Sequence, residues 1–176
     1  MQQEEVRAKM RESTRTLTYS AMAIALVAIA TMSLQIPIPQ TRGYINLGDT
    51  LIFVFALLWG ARVGALAGGL GSALADLLTG YAHWAPFTLV IKGLEGFLVG
   101  TLARRESTLV KRILFLSLAG LEMVGGYFLA GSLLYGPGVA IVEIPGNLVQ
   151  AGSAILLSSL VVYAIRRGEK YIFHRV

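Results

Sequence analysis

Polar and charged residues gather in short clusters along this chain, and between the clusters lie six long apolar stretches. They run Leu17–Leu34, Thr50–Trp59 with its flanks, Gly64–Leu78, Pro86–Ala103, Ile113–Leu134 and Pro145–Ile165. A helix needs about 20 apolar residues to cross ~30 Å of hydrocarbon, so the pattern predicts six transmembrane helices. The second and third stretches are short, which implies a tilted helix or one that ends inside the protein. The six consume about two thirds of the chain at that spacing and leave only short connections, with no room for a soluble catalytic domain. The expected fold is an all-α integral membrane protein, a compact bundle of six transmembrane helices with both termini cytoplasmic. One membrane domain is expected over residues 1–176: a cytoplasmic N-terminal segment 1–16, the bundle 17–166 and a cytoplasmic tail 167–176.

Composition agrees with the pattern. Hydrophobic residues make up 55% of the 176 positions and charged ones 14%, with a mean hydropathy of +0.67. Soluble domains carry about 25% charged residues, so this chain cannot coat itself for water. The absence of cysteine excludes disulfides, thiolate metal sites and a cysteine nucleophile. No solenoid repeat or low-complexity segment is present. The first stretch has a basic lead-in and an Ala28-Ile29-Ala30 triplet, but its apolar run exceeds the ~7–15 residues of a signal peptide. It reads as an uncleaved helix.

The net charge of +5 is explained by position. With the N-terminus inside, Arg7, Lys9, Arg11, Arg15, Arg62, Arg104, Arg105, Lys111, Arg112, Arg166, Arg167, Lys170 and Arg175 all fall on the cytoplasmic side. Arg42 alone falls outside, and Lys92 lies within a span. This satisfies the positive-inside rule and leaves nucleic acid nothing to explain.

Most of the candidate chemistry clusters in the external half. Gly60, Gly64, Gly68, Ser72 and Asp76 recur every four residues, a small-residue ridge on which another helix can approach closely. Asp76 tops that ridge, and a carboxylate inside a span is a site candidate by default. Lys92 and Glu95 are three apart and share a helix face, as a self-neutralising pair or as part of a site. Glu122 has Gly125 and Gly126 a turn further on, and Asn147 and Gln150 follow the Pro145-Gly146 entry to the last span. Around the mouth stand Tyr44, Tyr81, His83, Trp84, Tyr127 and Tyr135, some as an interfacial belt and some as a roof. In the connection Gln35–Asp49, Pro37 and Pro39 hold an extended backbone and Gly43 and Gly48 permit turns; its length suggests a lid. Tyr44 and Asn46 there either reach a ligand or sit at the interface. Asp49 reads first as an N-cap for the second helix. A polar pocket open outward and roofed by aromatics suits a small planar molecule.

Several chemistries are excluded or thin. No P-loop exists, the two histidines are His83 and His174, and Ser72 lacks the following glycine of an intramembrane serine protease. No catalytic residue, metal site or cofactor is assigned. A channel would line its whole depth with polar groups. A one-sided pocket favours a capture protein energised by other subunits, with a stand-alone secondary transporter of a small polar solute as the alternative.

The segments Gly43-Tyr44-Ile45-Asn46-Leu47-Gly48-Asp49, Gly71-Ser72-Ala73-Leu74-Ala75-Asp76 and Ile91-Lys92-Gly93-Leu94-Glu95-Gly96 resemble those of substrate-binding S components of energy-coupling factor (ECF) transporters. The likeness covers nearly the whole chain. It implies a binder of a small vitamin or vitamin precursor, with hydroxymethylpyrimidine or a pyridoxine-like ring favoured. It also implies a transmembrane coupling subunit and two ABC-type ATPases as partners, docking on the small face of Ala21 and Ala25, and an S component that topples to carry its pocket across. The expected substrate-binding set is Asp76, Lys92, Glu122, Asn147, Gln150, Tyr44, Asn46, Tyr81, Trp84 and Tyr127.

Overall fold

The computed structural model describes residues 2–106 and 108–173. Of the basic residues placed above, Arg175 lies outside that range, as does His174; the side chains of Lys9, Arg11 and Lys170 are likewise not described. Among the described residues five helices are long and apolar enough to cross a membrane, each in at least part of its length. They are α1 (Gln2–Ser33), α3 (Ala61–Thr79), α4 (Ala85–Ala103), α5 (Leu109–Tyr135) and α7 (Glu143–Phe173). Between them lie α2 (Gly48–Trp59) and a single turn, α6 (Pro137–Ala140). At 1.5 Å per residue the 12 residues of α2 reach about 18 Å, well short of a bilayer. The second apolar stretch is therefore the one that stays inside the protein, while the third reaches a full 19 residues. The flanking segments are not separate pieces: α1 is helical from Gln2 and α7 continues to Phe173.

One element departs from an all-α fold. Gln35–Ile38 (β1) and Gly43–Asn46 (β2) pair antiparallel, with Pro37 opposite Tyr44. Proline fits this strand because the ribbon has only two strands, so every strand is an edge. The turn is not made by the expected glycines. Arg42 at the tip has φ +48, whereas Gly43 and Gly48 have no positive φ. These two glycines supply space instead. A Cβ at Gly48 would overlap the Thr31 hydroxyl, and one at Gly43 would come 2.7 Å from Glu143 Oε1.

Burial is concentrated on α2, where Ile52 through Leu57 are all inside, joined by Val27, Val63, Val99, Leu116 and Val162 from the helices around it. Leu133, Val149 and Val110 point outward, as a lipid-facing surface requires. In lipid, helices associate by close packing of small residues, and the ridge on α3 does this against α4. A Cβ at Gly64 would collide with the Gly96 carbonyl, and one at Gly68 with that of Lys92. Gly71 meets the Ile24 carbonyl of α1 in the same way. Both α3 and α4 contain a wider π turn, Ala67–Gly71 and Val99–Ala103. α3 stops at Gly80, whose φ of +91 suits a residue without a side chain.

Candidate functional site

The ridge of α3 changes character along its length. Past the packed glycines, Ser72 and Asp76 occupy the same face and line a cavity. α4 contributes Thr88, with Trp84 just before its start; α5 contributes Tyr127, α7 contributes Glu143, Asn147 and Gln150, and α1 contributes Thr31. The hairpin strand β2 closes the space with Gly43, Tyr44 and Asn46. The cavity measures about 20 Å³, room for about one water molecule. A ring can enter only if the hairpin moves.

Hydrogen bonds tie the hairpin to the bundle at four places, one of them from Gln35 Nε2 to the Thr79 hydroxyl at 3.2 Å. The Tyr44 hydroxyl donates to Asp76 Oδ1 at 2.6 Å. The Asn46 amide donates to Gln150 Oε1 at 2.6 Å. The Trp84 indole donates to the carbonyls of Thr41 and Arg42 at the tip, at 3.3 and 3.2 Å. Burial, and Asp76 beside it, push the Tyr44 phenol well above the usual tyrosine range, so it stays a donor. Tyr81 packs on Tyr44 with ring centres 4.5 Å apart. Trp84 in turn sits among Tyr127, Tyr135, Phe87 and His83.

A second polar cluster connects to the cavity through Gln150. Lys92 Nζ donates to Asp49 Oδ1 at 2.5 Å and to Glu95 Oε2 at 3.1 Å, and Gln150 Nε2 donates to Asp49 Oδ2 at 2.7 Å. Lys92, Asp49 and Glu95 are each at most 1% exposed. The ammonium also lies 5.5 Å from the centre of the Tyr127 ring, a cation–π contact, and Glu122 feels the charges of Lys92 and Asp49. Asp49 is thus no N-cap. Leu47 holds that position without a side-chain bond, and Asp49 is in the first turn of α2, turned inward to Lys92.

The expected set divides accordingly. Asp76, Asn147, Gln150, Tyr44, Asn46, Trp84 and Tyr127 line the cavity; Lys92, Glu122 and Tyr81 do not. Lys92 is bound beneath it and Tyr81 backs Tyr44. Thr31, Ser72, Thr88 and Glu143 line it as well and were not anticipated. Glu143 carried a usable signal, a carboxylate at the mouth of an apolar helix; the hydroxyls carried none. Three buried atoms on lining residues make no well-aligned hydrogen bond among the described residues: Asp76 Oδ2, Asn147 Nδ2 and Thr31 Oγ1, with the Thr88 hydroxyl beside Asp76 and Glu143 beside Asn147. Together they offer a ligand an anionic acceptor, an amide donor and a hydroxyl. No group of three or more histidine or acidic side chains placed to hold a metal ion occurs among the described residues.

Comparison with known proteins adds three findings. The model of the ECF-type riboflavin transporter S component family matches residues 11–167. A Pyrococcus woesei protein known as "Uncharacterized protein in gap 3'region" is 44% identical over 134 residues, covering 76% of this chain and 90% of its own. The thiamine precursor transporter HmpT of Lactococcus lactis subsp. cremoris (strain MG1363) is 38% identical over 132 residues, 74% of this chain and 75% of its own.

Proposed function

The chain belongs to the family of ECF-type riboflavin transporter S components, a multi-pass membrane family of transporters and not of enzymes, and from that premise we propose that it binds a small vitamin precursor for uptake. The observation that carries this reading is the closed cavity with its unpartnered Asp76 Oδ2 and Asn147 Nδ2. Unpaired buried polar groups cost stability, and a ligand with one donor and one acceptor edge would satisfy both. A single ring such as hydroxymethylpyrimidine or a pyridoxine-like compound, carrying a donor and an acceptor, matches that pair once the hairpin opens, and the relative HmpT, by name a thiamine precursor transporter, leans the same way.

In this reading Asp76 and Asn147 hydrogen-bond the ring. Trp84 and Tyr127 pack on it, Tyr44 and Asn46 belong to the hairpin that must open and reclose, and Gln150 on α7 latches Asn46. Lys92, Glu95 and Glu122 act from behind, setting the charge and position of the floor. The termini lie in the cytoplasm by the distribution of Lys and Arg. Partner ATPases energise uptake through a transmembrane coupling subunit, which docks on α1. Ala21 and Ala25, one turn apart, are both exposed and free for a foreign helix. Replacing both by Trp should abolish uptake with the coupling subunit and ATPases present while leaving ligand affinity unchanged. A parallel fall in affinity and folded yield would place the two alanines in the bundle's own packing.

The reading is tested by titrating the purified chain, without ATP or partners, with B-vitamins and their precursors. Saturable binding of a one-ring compound is expected. If none binds and proteoliposomes of this chain alone accumulate a solute on an ion gradient, it is a secondary transporter instead.

A further inference from the structure

At the bundle end opposite the ligand cavity, a second and roomier space of about 290 Å³ opens between α1, α2, α3 and the end of α4. Arg15 and Arg104 both line it, with Thr16, Tyr19, Leu58, Trp59 and Val63 between them. Arg15 is oriented by a neighbour on its own helix, and Arg104 packs over Gly60. Arg15 Nε donates to the Tyr19 hydroxyl at 3.1 Å, and its guanidinium carbon lies 5.2 Å from the centre of that ring. Arg104 lies over Gly60, where a Cβ would come within 2.8 Å of its Nη1; the glycine also needs its φ of +92. Among the described residues no carboxylate is within 4.0 Å of either arginine. Two cations with no carboxylate partner among the described residues thus face one space.

The wall between them is aromatic. Tyr19 stacks on Trp59 at 4.6 Å and 14°, and Trp59 on Phe55 at 5.0 Å and 6°. Trp and Tyr favour the level of lipid headgroups, and basic pockets between helices at that level hold anionic headgroups. Arginine presents a planar fork of donors that matches phosphate oxygens in pairs. Leu58 and Val63 offer apolar surface beside it.

We propose that this space is a binding site for the phosphate ester of an anionic phospholipid, clamped between Arg15 and Arg104 with its glycerol against Trp59. Nothing in the ligand cavity is needed for it, and the site stands whether or not the assignment of the ring compound is right.

The test uses the full chain in neutral detergent, with phosphatidylglycerol, phosphatidylcholine and soluble glycerol phosphate as separate probes, followed by native mass spectrometry and thermal unfolding. One phosphatidylglycerol should bind per chain and raise Tm, with phosphatidylcholine far weaker. Arg15→Gln with Arg104→Gln should weaken phosphatidylglycerol roughly ten- to a hundredfold, taking about 1 kcal/mol or somewhat more per arginine. The control Arg62→Gln with Arg105→Gln removes the same charge from exposed positions outside the space and should change affinity less than threefold. Equal losses in the two double variants would mean diffuse attraction and overturn the site. Soluble glycerol phosphate binding as tightly as the lipid would overturn the lipid as its occupant. Should the glutamine pair fail to fold, Arg15→Lys with Arg104→Lys keeps the charge and loses the fork; affinity equal to the original chain would then refute the clamp.

Discussion

Two buried polar clusters meet at Gln150, and they differ in whether charge is paired with charge inside them. Beneath the cavity, Lys92 has both Asp49 and Glu95, and both oxygens of Asp49 and both side-chain ends of Gln150 are bonded, while Glu95 Oε1 and Glu122 Oε2 stay open. Above it, Asp76 has one oxygen bonded and one open, and Asn147 has an open amide nitrogen. A network knit by ion pairs across elements fixes where helices sit relative to one another. An open one stores hydrogen-bonding capacity that only an added molecule can use. The lower cluster thus sets the position of α2, α4 and α7, and the upper one faces what enters. Substitutions should therefore move stability in the first cluster and affinity in the second.

The largest effect is expected from Lys92→Met. It strands two carboxylates that are almost wholly buried, and breaking a buried ion pair from one side costs about 3–5 kcal/mol. Folded yield in detergent should collapse. A well-folded Lys92→Met chain with weakened ligand binding would move Lys92 from the floor into the site. Next comes Asp76→Asn. The new side chain still accepts from Tyr44, so Tm should shift little. Affinity should fall by about 1.5–3 kcal/mol, the worth of a hydrogen bond to a charged group, or roughly ten- to a hundredfold. Calorimetric titration beside a melting curve separates the two.

The difference between the clusters also explains which parts were legible in the sequence. Five of the six expected spans were, because lipid demands an uninterrupted apolar run and each run is local; the second stretch was apolar for burial in the bundle instead. The ridge of α3 was too, since its period is that of one helix. Asp49 was misread because aspartate at the start of a helix is ordinarily a cap, while its actual partners Lys92 and Gln150 are 43 and 101 residues away. Proline and glycine between Gln35 and Asp49 signal turns, and the ribbon they belong to is defined only by its pairing register. Thr31, Ser72 and Thr88 resemble any other helix hydroxyl until five helices are brought together around them. The cavity's carboxylate and amide stood out; its hydroxyls could not.

Tyr44→Phe probes the link between hairpin and bundle. It removes the bond to Asp76 and should lower Tm by the equivalent of about 1–2 kcal/mol while speeding ligand release. The phenol also carries a pH signature. Its folded value is raised, so the native chain holds the proton after the unfolded chain has lost it above about pH 10. Stability contributed by this group is present below that pH and declines as pH rises further. Tyr44→Phe should remove that decline. An unaltered alkaline limb in the melting curves would mean that the hairpin is not held through Tyr44.

The smallest expected change, Asn147→Ala, distinguishes the two clusters most sharply because its two readouts should move in opposite directions. In the ligand-free chain Asn147 Nδ2 is buried without a partner, so removing it relieves an unsatisfied donor and Tm should hold or rise slightly. In the bound chain the same change deletes one neutral hydrogen bond, about 0.5–1.5 kcal/mol, so affinity should drop roughly two- to tenfold. Lys92, Asp49 and Gln150 cannot behave this way, since removing any of them leaves a buried partner stranded. If instead Tm and affinity fall together, Asn147 is engaged with the neighbouring Glu143, whose charge it already influences. The open face of the cavity would then reduce to Asp76 and Thr31.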